Sequence, residues 1–290
     1  MNIITFLQTH TIPLLIISGI LGACIGSFLN VVIYRLPIML FKNWQQECQI
    51  LLKTGNRNTQ TEKFNLSAPR SHCYKCKHTI LVRHNIPLLS YLLLAGKCAY
   101  CKHHISAQYF FIELSCTLLS IFICAYYGIS WKLLGALLLT WSLLPLIVID
   151  FKEKLLPDEI TLPLLWLGLI FNSFNLFTPL TNAIFGAIIG YLSLWLITYI
   201  YKLFTKKIAM GNGDFKLLAV FGAWLGWQAL PFIIFFAALS GSIFGFIWLC
   251  YKRKKMDTTI AFGPYLAIAG WLALILHNNL AYWSYLLINR

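Results

Sequence analysis

Apolar residues in this chain come in long blocks, without the alternation of a half-buried strand or the single stripe of a surface helix. A helix needs about 20 apolar residues to cross a bilayer. Blocks that approach this length fall at residues 11–33, 108–127, 131–149, 160–177, 181–203, 215–226, 229–250 and 259–276. The block at 215–226 is short and runs into WLGWQALP, so its far end is open. The tail from His277 starts too polar for a further span. The pattern predicts an all-α polytopic membrane protein with about eight transmembrane helices.

Composition agrees. The chain is 59% hydrophobic and 11% charged, where a soluble domain is about 25% charged. The net charge of +14 would suit nucleic acid if it lay on one face. Instead, Lys and Arg gather in alternate connections. The loop at 37–106 holds ten Lys/Arg and two Glu. Lys152 with Lys154, then Lys202 with Lys206 and Lys207, then Lys252 with Arg253, Lys254 and Lys255 mark the next basic connections. Near Gly128 there is only Lys132, and the turns near Pro179 and Gln228 have none. This is the positive-inside pattern, with both termini outside and the basic loops beside anionic lipid. The expected partner is therefore the lipid bilayer and not nucleic acid. No Lys or Arg precedes Arg35, so no secretory signal peptide is expected. LGAC at 21–24 looks like a lipoprotein cleavage box but lacks a basic leading region.

One polar piece interrupts the blocks, at 37–106. Its first half is rich in Gln, Asn and Thr and reads as an irregular insertion or a short amphipathic helix. Its second half, with a core at 70–106, is rich in cysteine. CYKC at 73–76 and CAYC at 98–101 are separated by 21 residues. Two residues between cysteines let each pair grip one ion, and four thiolates close a tetrahedral shell. Cys73, Cys76, Cys98 and Cys101 are thus a candidate structural zinc site. Iron–sulfur ligation by the same four thiolates stays open, as does a dithiol that cycles as a disulfide. Haem attachment is excluded because Lys77 and Lys102 follow the pairs. His72, His78, His103 and His104 read as surface groups. Cys24, Cys116, Cys124 and Cys250 lie in spans and read as packing residues.

Nine acidic residues leave each one to be weighed. Glu47, Glu62, Glu153 and Asp257 sit in polar loops. Asp158 follows Pro157 at the start of a span, where it reads as a helix cap, with Glu159 favoured by the positive end of the same helix. Asp214 has the same local reading, behind Gly211 and Gly213. Asp150 ends a span, where the helix dipole disfavours a negative charge. Glu113 lies about a turn inside its span and must be paired or face protein. Topology puts Asp150 and Asp214 at one face of the membrane. Two neighbouring carboxylates can share a proton and bind one water, because like charges at close range are not both ionised. That is aspartyl-protease chemistry, and the glycines allow close approach of backbone and substrate.

These motifs together resemble the bacterial prepilin peptidase family, the type IV leader peptidases and N-methyltransferases of the GxGD class of membrane aspartyl proteases. The resemblance rests on GSFLNVVIYRLP at 26–37, the two CxxC pairs, ID with LLPDEITLPLLWLGL at 149–169, GNGDFKLLAVFGAWLGW at 211–227 and FGPYLAIAGW at 262–271. It implies that Asp150 and Asp214 are the catalytic pair, with Gly211 and Gly213 in the loop of the second. It implies a first transmembrane helix at 1–36, a cytoplasmic metal-binding loop at 37–106 and a protease core at 107–290, all in the bacterial inner membrane. Such enzymes cut the basic leader from prepilins and pseudopilins, after a glycine and on the cytoplasmic side. They then methylate the new terminal residue, usually Phe, with S-adenosylmethionine.

Two features depart from the family. Gln108 and Phe110 stand where its pattern has Arg and Pro, and the insertion at 45–61 exceeds its core. No glycine-rich loop marks a methyl-donor site. An ion-coupled transporter and a membrane thiol relay are the competing functions. The topology has a direct test. Impermeant thiol reagents should label single cysteines placed at 128, 179 or 228 in intact cells, and not at 152 or 207. Labelling at 207 from outside would put Asp214 on the wrong side.

Overall fold

The structure, a computed structural model, describes residues 11–52, 64–81, 84–206, 210–252 and 261–288. Glu62, Lys207, Arg253, Lys254, Lys255, Asp257 and most of the 45–61 insertion therefore lie outside the described residues, as does the side chain of Cys250. The regular elements among the described residues are helices, with two isolated β-bridges, His72 with Thr79 and Lys97 with His104, in the irregular cysteine segment. The all-α expectation holds. The chain divides into two compact units, Met1–Leu133 and Leu134–Arg290.

The first unit is built on a long helix, α1 (Thr11–Leu51), a short α2 (Leu89–Leu93) and α3 (Ala107–Tyr127). α1 was expected to end near residue 33, yet it runs through Pro37 for 41 residues. At 1.5 Å per residue that is about 60 Å, twice a bilayer core. Loss of one backbone donor at a proline bends a helix more often than it ends it when packing continues on both sides. Leu36, Pro37 and Leu40 are all buried, whereas residues 41–52 are exposed.

Small residues bring α1 and α3 together. A Cβ on Gly22 would sit 2.6 Å from Ser120 Oγ, and one on Gly26 would sit 2.9 Å from Glu113 Cα. Polar groups on the seam find backbone acceptors: Ser18 Oγ donates to Ser120 O at 2.9 Å and Asn30 Nδ2 to Tyr109 O at 3.0 Å. Cys116 and Cys124 pack in this seam as expected. Cys24 does not, because its position on α1 turns it outward.

Arg35 holds the connecting loop. Its buried guanidinium donates to Asn65 O, Leu66 O and Pro69 O at 2.9, 3.3 and 2.6 Å. Three carbonyls spread the charge that a lone buried cation could not otherwise carry.

The second unit contains α4 (Trp131–Glu153), α5 (Asp158–Ser173), α6 (Leu180–Thr205), α7 (Asn212–Leu225), a 3-10 turn at Trp227–Ala229, α8 (Leu230–Lys252) and α9 (Gly263–Ile288). α7 is its centre. Phe215 and every residue from Leu217 to Leu225 is buried, so this helix is apolar all round because protein surrounds it. It approaches α6 backbone to backbone. A Cβ on Gly186 would strike Gly222 O, and one on Gly222 would strike Gly186 O. Trp224 then anchors the far end. Its Nε1 donates to Leu164 O at 2.8 Å, and it meets Phe171 and Phe177 with ring centroids 5.5 and 5.6 Å apart. Asn172 closes the helix, donating to Ala223 O and Trp224 O at 2.8 and 2.9 Å and accepting from the amides of Phe177 and Thr178.

Among the described residues five helical stretches are long and apolar enough to cross a bilayer: Ile12–Leu51, Ala107–Tyr127, Trp131–Glu153, Leu180–Thr205 and Trp227–Ile247. The count of eight is not reached on this measure. The other three blocks do form helices, but α5 has 16 residues and α7 has 14, and α9 enters this measure only over Gly263–Leu276 of its 26 residues. For α7 the reason is physical: a helix wrapped by protein need not match the bilayer thickness.

The glycine contact predicts a stability effect. Gly222→Ala should lower the thermal midpoint in detergent, because overpacking against backbone costs about 1–3 kcal/mol. Gly241→Ala, whose nearest neighbour would be the Tyr265 ring at 3.4 Å, should leave the midpoint unchanged or raised.

Candidate active site and metal centre

α4 delivers Asp150 at its last turn. The helix ends there because Lys154 adopts φ 54°, with its amide bonded to Asp150 O at 2.9 Å. α7 delivers Asp214 in its first turn. Neither local cap reading survives. The N-cap position of α7 is Gly211 in extended conformation, and Asp214 lies inside the helix with its own amide bonded to Gly211 O at 3.2 Å. The N-cap of α5 is Pro157, and Asp158 is the first helical residue. Both its oxygens instead receive Lys216 Nζ at 2.7 Å, which ties the start of α5 to the first turn of α7.

Asp150 and Asp214 are 5% and 7% exposed. Each keeps a buried oxygen without a hydrogen-bond partner among the described residues, Oδ2 of Asp150 and Oδ1 of Asp214. The two carboxylates lie within coulombic reach of each other. Lys154 acts electrostatically on Asp150, toward which the Gly263 amide also points.

The walls of this site are glycine and one leucine. A Cβ on Gly263 would sit 2.5 Å from Asp150 Oδ2 and 3.2 Å from Leu156 Cδ1. A Cβ on Gly213 would sit 2.7 Å from Leu156 Cβ. Leu156 thus lies between the Asp214 loop and the start of α9. Gly211 leaves room as well, with a Cβ reaching no closer than 3.9 Å to Asp214 Oδ2. Gly263 and Leu156 were not singled out in the sequence. Gly263 was visible within FGPYLAIAGW, but a glycine there carries no chemistry until its neighbour is known. Leu156 is an apolar residue in a loop, and nothing distinguishes it in sequence.

In the first unit Cys73, Cys76, Cys98 and Cys101 converge. Their sulfurs lie within 4.8 Å of one another, with Cys73 Sγ and Cys101 Sγ 3.7 Å apart. Four thiolates about 2.3 Å from a tetrahedral ion would be spaced by roughly 3.8 Å, so the donor set fits a zinc ion. Two matching turns build it. Lys77 N bonds to Cys73 O and Cys73 N to His78 O; Lys102 N bonds to Cys98 O and Cys98 N to His103 O. Lys77 and Lys102 hold φ 57° and 56°, a left-handed conformation that aims successive amides at the sulfurs. The Cys76 and Lys75 amides lower the pKa of the Cys73 thiol, which favours a thiolate at that one position. His72, His78 and His104 are exposed as expected. His103 is half-buried and bonds Tyr74 Oη.

Glu113 faces protein, as its depth required. Its Oε2 accepts the Leu88 amide at 2.7 Å, and Ser27 also bonds the carboxylate. Phe110, at one of the two departures, stacks on Tyr91 with centroids 5.2 Å apart.

Known proteins resemble this chain in sequence along both of its units. Residues 20–127 match the bacterial peptidase A24 N-terminal domain, and residues 137–246 match the type IV leader peptidase family. The prepilin leader peptidase/N-methyltransferase of Stutzerimonas stutzeri is 47% identical over 275 residues, covering 95% of each chain. The chain belongs to the type IV leader peptidase family. Proteins of the same name from Pseudomonas putida and Legionella pneumophila are 48% and 42% identical, over 95% and 92% of this chain and 95% and 93% of theirs. No solved structure matches. Membership makes this chain an enzyme and disfavours the transporter and thiol-relay readings.

The cysteine cluster carries a prediction for this peptidase. Metal analysis after mild purification should find about one zinc per chain, and Cys73→Ser with Cys98→Ser should abolish it. A metal-free native chain with a Cys73–Cys76 disulfide would overturn the assignment.

Proposed function

We propose that this enzyme sits in the bacterial inner membrane with Asp150 and Asp214 toward the cytoplasm. There it cuts the basic leader from type IV prepilins and pseudopilins after a glycine. It then N-methylates the exposed residue, usually Phe, using S-adenosylmethionine. The observation that carries the cleavage half is the pair of buried carboxylates, each keeping one oxygen without a partner. A buried polar atom normally finds one, and two such oxygens on neighbouring carboxylates suit a water and a peptide carbonyl.

The division of labour follows from their charge. One carboxylate, ionised, takes a proton from the attacking water. The other, protonated, gives its proton to the peptide carbonyl oxygen, so the tetrahedral species forms without separated charge. Glycine at 211, 213 and 263 lets an extended substrate strand approach the pair. The glycine preceding the scissile bond fits the same crowded site, since a larger side chain would meet these walls. Cys73, Cys76, Cys98 and Cys101 would hold zinc, which supplies no chemistry there and fixes a segment too small for its own core.

Prepilin processing by gel shift, at matched enzyme levels, tests this. Asp150→Asn and Asp214→Asn should each lower cleavage by about 10²- to 10⁴-fold, and the double variant should be no worse than either. Gly263→Ala should also impair cleavage by crowding Asp150. Asp158→Asn should leave substantial cleavage, because a half-exposed ion pair contributes only about 0–1 kcal/mol. An inactive Asp158→Asn beside an active Asp150→Asn would mean the wrong carboxylate is paired with Asp214.

A further inference from the structure

Beyond the two aspartates, the buried side-chain atoms without a partner among the described residues are Asn30 Oδ1 and His84 Nδ1, both in the first unit. Asn30 is 4% exposed. Its orientation is fixed, because Nδ2 donates to Tyr109 O and a carbonyl can only accept. The free end is therefore the amide oxygen. Ser27 lies about one turn earlier on α1, and Glu113 one turn later on α3 than Tyr109. Ser27 meets Glu113 across the seam. The Glu113 carboxylate and the Asn30 oxygen thus occupy adjacent rungs, about 5 Å apart along the helices.

Both groups accept, and neither is saturated. A carboxylate has about four acceptor positions; the Leu88 amide and Ser27 hydroxyl account for two. The amide oxygen uses none. Among the described residues no hydrogen bond reaches the Asn30 oxygen. Two oxygens are too few for a hard metal ion. A ligand with at least two N–H groups on one small, cationic atom fits: a primary amine.

We propose that Asn30 and Glu113 form a seat for a primary amine in methyl transfer, a reading that rests on the methyltransferase half of the proposed function. Held there as the free base, the amine gives one N–H to Asn30 Oδ1 and one to Glu113, and its lone pair points away from both. S-adenosylmethionine, when bound, supplies a methyl group on a sulfonium. The surplus proton of the entering ammonium passes to the Glu113 carboxylate and then to solvent. The nitrogen lone pair forms the N–C bond while the methyl–sulfur bond breaks, and that electron pair stays on sulfur in neutral S-adenosylhomocysteine. The terminal amine of the cut pilin and the amino group of the donor would make the same hydrogen bonds, but only the pilin amine accepts the methyl group, and binding separates them.

The full chain in nanodiscs, without methyl donor, is titrated with a peptide of a mature pilin terminus bearing a free amine and with its N-acetyl twin. The wild type should bind the free amine about 10- to 100-fold tighter. Glu113→Gln, which still accepts the Leu88 amide, should erase the difference. Asn30→Leu should erase it too; it removes the unsatisfied oxygen together with the bond from Nδ2 to Tyr109 O. If the preference appears instead between S-adenosylhomocysteine and its deaminated analogue, and both variants erase it, the seat holds the donor and the acceptor role given to it here is overturned. If neither ligand pair is distinguished, the seat is a structural one, filled by water, and the inference is overturned. A parallel loss of prepilin cleavage and thermal stability in both variants overturns it as well. An enzyme that binds the amine but never methylates would fail the function and not the seat; one that methylates without amine preference would fail the seat alone.

Discussion

Contact between the backbones of Gly186 and Gly222 sets the second unit. Any side chain at either position would force α6 and α7 apart. Their approach lets α7 be enclosed on every side, so its apolar residues face protein rather than lipid. The enclosure also decides what Asp214 experiences. A carboxylate at the end of a helix exposed to water would be an ordinary solvated acid. At the end of this one it is 7% exposed, within reach of a second buried acid. Trp224 and Asn172 hold the other end of α7, and the Asp158–Lys216 pair holds its first turn. The position of one oxygen therefore depends on contacts along the whole helix.

Polar groups inside this protein fall into two kinds. Arg35, Ser18 and Asn172 are buried and satisfied, each by backbone carbonyls. They are structural: they tie a loop, a seam and a helix end. Asn30, Asp150 and Asp214 each keep an oxygen with no partner among the described residues. An unpaired buried acceptor costs about 1–3 kcal/mol, and a fold that tolerates it does so for something other than stability. The three belong to two groups, one in each unit.

Much of this was legible in the sequence. Apolar blocks gave the helices, because length and hydropathy act locally. The CxxC spacing gave the four sulfurs, because a knuckle is a local turn. Asp150 and Asp214 stood out because acids are scarce and each sits at the edge of an apolar run, one at its end and one at its start. What could not be read depended on distant partners. Asp158 looked like a cap, and only the packing of α5 on α7 shows that Lys216 claims it. α1 was expected to stop near residue 33, since burial on both sides of Pro37 is a tertiary fact. Cys24 was taken as core, because a block that is apolar throughout does not say which face meets a neighbour. Gly263 and Leu156 matter only through what they touch.

Arg35 and Glu113 have a consequence for how the cysteine segment can be exchanged. That segment is hung at two points by charged side chains from the helices on either side: Arg35 of α1 grips the backbone at Asn65–Pro69, and Glu113 of α3 grips Leu88. It is not a cassette with portable ends. A chimaera that swapped residues 64–106 between relatives would need loops whose carbonyls and amide present themselves to these two residues at the same heights. Cut instead within α1 above Arg35 and within α3 beyond Glu113, the graft would carry its own fastenings.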